Sequence, residues 1–586
     1  MSPMVARYTA SLLMAHLACA VAVGVAGCTV EGIAILPGLD EGADGFGDDQ
    51  DEGLGEGQGT GTDGANTDHD GGSNESDDAG SAMLDLPAPG DHEPLEQACV
   101  VADNILDAPL PCDVGPTSVT INPVVAWTWT GPAGEDSVIV TPLVGNLDDD
   151  NEDGIVDLCD RPDLVVLAVD LSANANKKDT FVPAGHIYVL DTKTGQTKWT
   201  FATPVDATAT PALADLDGDG TAEILAFERS EESLGQVGER RVIAFEADGS
   251  VRWISDTWVW SDGGGGLAVA DLDADGSPEI LAPEHVLSAD GQLLWAPANP
   301  PPADSVPIAA DLDLDGELEV LFGRSVFAAD GTELFELPLP GNKNLGVAAI
   351  ANFDDDAFPE IYIQAAQHHI FEHDGQPKAH CGAAGGAGKG RPVSILDVDS
   401  DGQAELLAHH GTWFRATTIV NGQCAPLWSV KVNHDSTSAA IGFDFLADGS
   451  AETVLADLDW VRLYGAQGDA VAQIQRRARP SSANPVIADA DNDGAAELII
   501  VGSEPIGGYG ELEDRASVIY VQNADDQFAP TRRIWNQHAY HVTNIREDAT
   551  VPVEQEPHWQ TAGSNSFRNN VAPGYQGPLC QSGPAD

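Results

Sequence analysis

An all-β fold, a β-propeller of four-stranded blades, is predicted by three observations. A short acidic loop recurs down the chain, each copy runs directly into an apolar strand, and hairpins with tight Asp-Gly turns follow several of the copies. The clearest loop is Asp215-Leu216-Asp217-Gly218-Asp219-Gly220-Thr221-Ala222-Glu223, which leads into Ile224-Leu225-Ala226-Phe227. Its carboxylates stand at loop positions 1, 3, 5 and 9, so alternate side chains of a tight loop converge on one centre, while Gly220 permits the sharp turn. Oxygen ligands in that arrangement suit a hard divalent cation, and Ca2+ is the cofactor expected.

Composition narrows the classes further. The chain of 586 residues could fill several domains by length alone, but repetition makes most of it a single unit. There are 95 acidic against 26 basic residues, a formal net charge of -69, and such a field repels nucleic acid and anionic membrane surfaces while attracting divalent cations. A hydrophobic share of 42% is ordinary for a globular core.

Residues 1–27 read as an export signal, because Arg7 precedes an apolar run from Leu12 to Val25 that ends in Val25-Ala26-Gly27-Cys28. The run is short for the roughly 20 residues that a membrane span requires. Those four residues resemble a bacterial lipobox, and the resemblance implies cleavage before Cys28, lipidation of the Cys28 thiol, and anchoring in the cell envelope. Thr29, in place of the aspartate associated with inner-membrane retention in enteric bacteria, points to the outer membrane or cell surface. Cys19 fits the pattern less well, since His16-Leu17-Ala18 precedes it. From 28 to 97 the chain is rich in Gly, Asp, Glu, Ser and Thr with few large apolar residues, and it reads as a disordered tether. The remaining cysteines are Cys99, Cys112, Cys159, Cys381, Cys424 and Cys580, an even number in an exported chain, which favours disulfides. Six cysteines allow 15 pairings, among them a short Cys99–Cys112 loop and a Cys381–Cys424 link between adjacent repeats.

The folded part is expected over 98–545. It opens on a strand at Val124-Val125-Ala126-Trp127-Thr128-Trp129, and eight acidic loops follow. The first is expanded: Asn146, Asp148 and Asp150 begin in register, the acid before the next strand is Asp163, and a second frame of Asp149, Asn151, Asp153 and Asp157 lies inside. It is read as holding one ion or two. The second is Asp215, Asp217, Asp219 and Glu223, the third Asp271, Asp273, Asp275 and Glu279, and the fourth Asp311, Asp313, Asp315 and Glu319. The fifth has Asn352, Asp354, Asp356 and Glu360 with Ala357 in place of glycine, and the sixth has Asp397, Asp399, Asp401 and Glu405. The seventh keeps Asp444, Asp448 and Glu452 but has Leu446 at position 3, which predicts a weak or empty site. The eighth is Asp489, Asp491, Asp493 and Glu497.

An EF-hand is excluded, because position 12 is apolar in these copies, as in Ala226, Phe322 and Leu455, where an EF-hand needs a bidentate glutamate. Strands flank each loop instead. Hairpins then follow at Ile187 to Trp199, Val242 to Trp253, Val286 to Trp295 and Val326 to Phe335, the last three with Asp-Gly at the turn, where both central residues need positive φ. Each repeat therefore holds four strands.

Units of this kind at intervals of about 40 to 70 residues match propeller blades, with eight blades favoured and seven possible. The acidic loops resemble those of FG-GAP and VCBS repeats, the family that includes the integrin alpha-subunit propeller, from about Val138 to Asn536. The literal Phe-Gly and Gly-Ala-Pro signatures are mostly absent. The strand at Val124 to Trp129 resembles the final strands around Trp199 and Trp428, so it is expected to complete the last blade as a ring-closing clasp. The tail, 546–586, is polar and turn-rich and is expected to pack along the ring.

The acidic loops are expected to bind structural ions that stabilise the folded blades. Three other places have site-like composition. Trp253, Trp258 and Trp260 precede Gly263-Gly264-Gly265-Gly266 and are read chiefly as blade core, with a sugar-stacking surface as the alternative. His368, His369, His373 and His380 cluster in the fifth repeat, though they are expected on different strands. Arg532 to His541 is the most basic and aromatic stretch, and His538, Tyr540 and His541 within it are read chiefly as a packed C-terminal cap. The turn Asp191-Thr192-Lys193-Thr194-Gly195 with Trp199 resembles the quinoprotein propeller motif, but in this copy alone. A nucleophile elbow, a zincin helix and a P-loop are all missing. The expected function is a lipid-anchored, monomeric, Ca2+-binding module for adhesion to a protein or glycan. A surface polysaccharide lyase or hydrolase is the alternative, since some polysaccharide lyases carry calcium on eight-bladed propellers.

Overall fold

The computed structural model describes residues 120–571, apart from several internal stretches of which the longest are 172–182, 230–238, 384–392 and 504–515. Cys28, the signal and the tether lie outside the described residues, as does a Cys99–Cys112 pairing. Among the described residues every regular element is a β-strand. The third repeat shows the plan: Ala268–Ala270, Glu279–Ala282, His285–Ser288 and Leu293–Trp295 pair antiparallel in chain order. Sheets over 308–336, 348–383, 394–431 and 440–475 repeat it. An eleven-stranded sheet contains two further runs of the same kind, 143–200 and 212–254, bridged by the short strand Val205–Asp206. Successive sheets meet through their first strands. The fold is all-β and β-propeller-like.

Burial explains this ordering. First strands such as Ala268-Val269-Ala270 and Ile308-Ala309-Ala310 are short, buried and rich in small residues, as a crowded axis requires. Second strands such as Glu360-Ile361-Tyr362-Ile363-Gln364 are buried along their whole length, and the fourth strands lie largely exposed at the rim. The last sheet joins Val486–Ala488, Glu497–Val501 and Val518–Asn523 to Pro123–Trp129, which pairs with the third of these. The expected clasp is therefore present. Further closure comes from the Val138 N–H donating to the Gly502 carbonyl at 3.0 Å.

Two devices recur around the ring. In each sheet the rim hairpin carries a β-bulge, which skips Lys198, Arg252, Leu294, Leu334, Lys378, Leu427, Val471 or, in the clasp, Ala126. A bulge bends the strand and re-aims the extra side chain. The residue after the bulge is often an indole that reaches into the next sheet: Trp199, Trp253 and Trp295 donate to the carbonyls of Ala247, Ala289 and Ala329 at 2.9, 2.9 and 2.8 Å. Trp127 does the same from last sheet to first, donating to Thr192 at 2.7 Å and stacking on Tyr520 with ring centres 4.6 Å apart.

The C-terminal stretch fills the axis. Trp535 pairs with Val144, the Leu213 N–H donates to the Asn536 carbonyl, and the Val269 N–H donates to Gln537. His558 meets the Ile350 carbonyl, Phe567 pairs with Ile395, Asn569 accepts from the Gly442 N–H, and Asn570 donates to the Ile487 carbonyl. Among the described residues the first strands have no sheet partner on their axial side, and these backbone and side-chain groups satisfy the exposed backbone groups. Arg532, Trp535, Tyr540 and Arg568 are fully buried. Arg568 donates to the carbonyls of Val393 and Ala348. The packed reading of Arg532 to His541 holds, since every residue of the stretch is buried in the core of the ring.

Candidate functional site

The acidic loops sit between the first and second strands of each unit, and their backbone is held by their own carboxylates. The acid at position 9 accepts from the N–H at position 2: Glu223 from Leu216 at 2.8 Å, Glu279 from Leu272 at 2.8 Å, Glu319 from Leu312 at 2.7 Å, Glu360 from Phe353 at 2.6 Å. Glu405, Glu452 and Glu497 repeat the bond with Val398, Phe445 and Ala490. Asp163 makes it with Leu147 at 3.2 Å, which places the acid of the expanded first loop in the position expected. In the complete loops position 1 accepts from the N–H groups near the turn, as Asp271 does from Asp275 and Gly276 and Asp489 from Asp493 and Gly494. Gly220 at position 6 has φ of +90°. Position 4 is also left-handed, and apart from Gly218 and Asn492 the residue there gives no signal: Ala274, Leu314 and Ser400 have φ of 54°, 62° and 58°.

Ligand-capable oxygens converge in these loops. Those of Asp271, Asp273 and Asp275, of Asp311, Asp313 and Asp315, and of Asp397, Asp399 and Glu405 lie within 4.8 Å of one another, as do those of Asp215, Asp217 and Glu223 and of Asp354, Asp356 and Glu360. Burial, reinforced by neighbouring acids, pushes the carboxyls of Glu279 and Glu319 up to about 7, that of Glu405 to about 8 and that of Asp489 to about 8. The Glu497 carboxyl is raised well above its ordinary value by the same causes. Buried oxygens of Asp399 and Asp491 have no hydrogen-bond partner in the protein. Acids crowded this way need positive charge to remain ionised, so these residues fit a hard cation. In the seventh loop Asp444, pushed up to about 6, and Glu452, to about 8, keep the same bonds without an acid at position 3.

Among the described residues, three loops have a basic side chain paired with their acids at positions 3 and 9. Lys198 is paired with Asp148, with Asp150 at 3.1 Å and with Asp163 at 2.9 Å. Arg252 reaches Asp217 at 2.5 Å, Glu223 at 3.5 Å and Glu246 at 3.3 Å. Lys378 holds Asp354 at 2.5 Å, Glu372 at 3.3 Å and also Glu360. Sequence reasoning missed these partners, because their proximity depends on a strand register that spacing along the chain does not reveal. The inner frame of the first loop, Asp149, Asn151, Asp153 and Asp157, is an exposed-to-half-buried turn whose carboxylates accept from nearby N–H groups, with Asp160 joining them.

The other candidates separate cleanly. Trp253 is an inter-sheet strut, whereas Trp258 is 48% exposed with the Arg241 guanidinium 4.7 Å from its ring. The Gly263 to Gly266 run is tied down, with Gly264 bonded to Thr208 and Arg240. His369 and His380 face each other across adjacent strands, while buried His368 bonds Tyr362 at 2.6 Å and packs on His410. Burial and the His410 ring push the His368 imidazole down to about 3. The Cys381–Cys424 disulfide joins adjacent sheets, as one candidate pairing had it. Sequence reasoning also missed Glu135, whose carboxylate takes hydrogen bonds from His186 at 2.6 Å and Tyr188 at 2.5 Å in an open depression of about 520 Å³. The bond to Glu135 raises the His186 imidazole, and burial followed by that bond raises the Tyr188 phenol.

Together these features define a β-propeller-like protein carrying acidic, cation-suited loops. No protein-family profile matches the sequence, and no curated protein matches it. Among solved structures it is similar to the V. cholerae biofilm matrix protein Bap1, at 19% identity and a TM-score of 0.60, over 77% of this chain and 99% of that one. It is also similar to rhamnogalacturonan lyase YesW, at 15% identity and a TM-score of 0.48, over 78% and 81%. The Bap1 likeness shows the fold.

Proposed function

We propose that the chain is an FG-GAP/VCBS-type propeller of eight blades that binds Ca2+ in its acidic loops and serves as an adhesion module for a protein or glycan. The same reading makes it a monomer held at the outer surface of a bacterial envelope by a lipid on Cys28, with the tether of 28–97 as a spacer. The observation that carries it is the recurrence of buried, mutually repelling carboxylates at the same place in sheet after sheet. An enzyme would concentrate its unusual groups at one site; here they are distributed as a scaffold would distribute them. Because the chain's own C-terminal stretch fills the axis, binding falls to the outer faces, where Trp258 and Arg241 offer an aromatic and cationic surface. The disulfide suits an oxidising compartment. A biofilm matrix role for a protein of this fold is compatible with adhesion.

A second reading, a polysaccharide lyase, has one specific observation in its favour. Glu135, His186 and Tyr188 form an acid–base cluster beside an open depression, and such a cluster can take a proton from one sugar carbon and give one to a leaving oxygen. Incubating the Ca2+-loaded protein with a glycan array and with acidic polysaccharides separates the two. Retention without unsaturated products is expected. Unsaturated products that disappear in Tyr188→Phe would reverse the order of the readings.

A further inference from the structure

The loops are not equivalent, and the rim bulge is what distinguishes them. At the bulge the extra residue is Lys198, Arg252 and Lys378 in the units of the first, second and fifth loops, and Leu294, Leu334, Leu427, Val471 and Ala126 in the others. Each of the three basic residues grips the acids at positions 3 and 9 of its own loop: Asp148 and Asp163, Asp217 and Glu223, Asp354 and Glu360. A Ca2+ ion would take those same oxygens at about 2.3 to 2.6 Å. The ammonium or guanidinium nitrogens lie at contact distance from them, so both cannot occupy the centre.

In two of these three loops a second repeat position changes as well, while the second loop keeps Asp215. In the first and fifth loops position 1 is Asn146 and Asn352 where the complete loops have aspartate, and these side chains turn to donate to the carbonyls of Asp157 and Asp356 at 2.6 and 2.7 Å. Removing one negative charge matches a monovalent occupant. The fifth loop has also lost its position-6 glycine to Ala357.

We propose that the first, second and fifth loops are closed by Lys198, Arg252 and Lys378 in place of a divalent ion, which leaves metal to the third, fourth, sixth and eighth. This rests on the Ca2+ reading above and limits it to the loops that lack a basic bulge residue. Self-closed blades would keep their loops when metal is withdrawn, so part of the ring is independent of the ion.

The test is the number of Ca2+ ions bound per chain at saturation, measured by equilibrium dialysis and elemental analysis on the full chain and three variants. Arg252→Leu installs the residue found in the third unit beside the full set Asp215, Asp217, Asp219 and Glu223, and it is expected to gain one ion. Leu334→Lys puts a basic residue at the fourth bulge and is expected to lose one. Circular dichroism confirms that each variant is folded, and the second keeps the proposal testable should the first unfold. Unchanged stoichiometry in both folded variants, with Asp217→Asn removing an ion from the otherwise unaltered chain, overturns the proposal while leaving the Ca2+ reading intact. No ion bound to any form overturns the Ca2+ reading itself, and this proposal with it.

Discussion

Gly220 and Gly291 both have positive φ, +90° and +77°, for different reasons. Around Gly220 there is open space, so only the backbone of the acidic loop demands glycine; at Gly291 an added Cβ would meet the Trp253 ring of the preceding sheet at 2.5 Å. Gly220→Ala is expected to cost about 1–2 kcal/mol, the ordinary penalty for a left-handed alanine. Gly291→Ala should cost about 1–3 kcal/mol more, because the indole must move. Denaturant unfolding of the two variants checks the order. Loop acids at positions 1, 3, 5 and 9 were legible because alternate spacing is a property of the chain alone. The left-handed position 4 was not, since Leu314 and Ala274 adopt it against their own preference, and neither was the approach of Lys198, Arg252 and Lys378, which a bulge two strands away decides.

At the scale of the element, the rim hairpin does more than extend a sheet. In three units its bulge aims a basic residue back at the acidic loop, and the next residue bonds to the following sheet where it is Trp199, Trp253 or Trp295, while Trp428 packs on Tyr464. The clasp shows that the geometry belongs to the position and not to a continuous hairpin, since Pro123–Trp129 bulges at Ala126 and presents Trp127 to Thr192 in the same way, though it comes from the far end of the chain. Resemblance of the Val124 to Trp129 strand to Trp199 and Trp428 made this closure readable. Trp127→Ala should therefore destabilise the ring by about 3 kcal/mol, the lower end for such a truncation because the side chain is only half-buried. Calorimetry should show a lowered Tm. A Tm unchanged from the parent chain would mean that the clasp does not hold the ring closed.

For the molecule as a whole, the filled axis is the feature that composition concealed. Arg532 to His541 was legible as a packed stretch but not as one that fills the axis, because its backbone and the Gln537 side chain serve the surrounding first strands, and the order of those contacts follows the ring and has no period along the chain. With the axis occupied, stability depends on contacts between sheets and on the charge state of their acidic loops. Carboxyls such as Glu279 and Glu319, raised to about 7, and Glu405, to about 8, bind protons more tightly folded than unfolded. Without metal, the stability they contribute is fully present below about pH 4.5 and is lost as pH rises through 7 to 8. Bound Ca2+ replaces those protons, so its stabilisation should grow over the same interval. The measurement that bears most directly on the account is thermal melting of the full chain at pH 5 and pH 8, each with excess Ca2+ and with chelator. A Ca2+-dependent rise in Tm that is small at pH 5 and large at pH 8 is predicted; the same Tm with and without chelator at pH 8 would contradict the claim that these loops hold the ring together through bound ions.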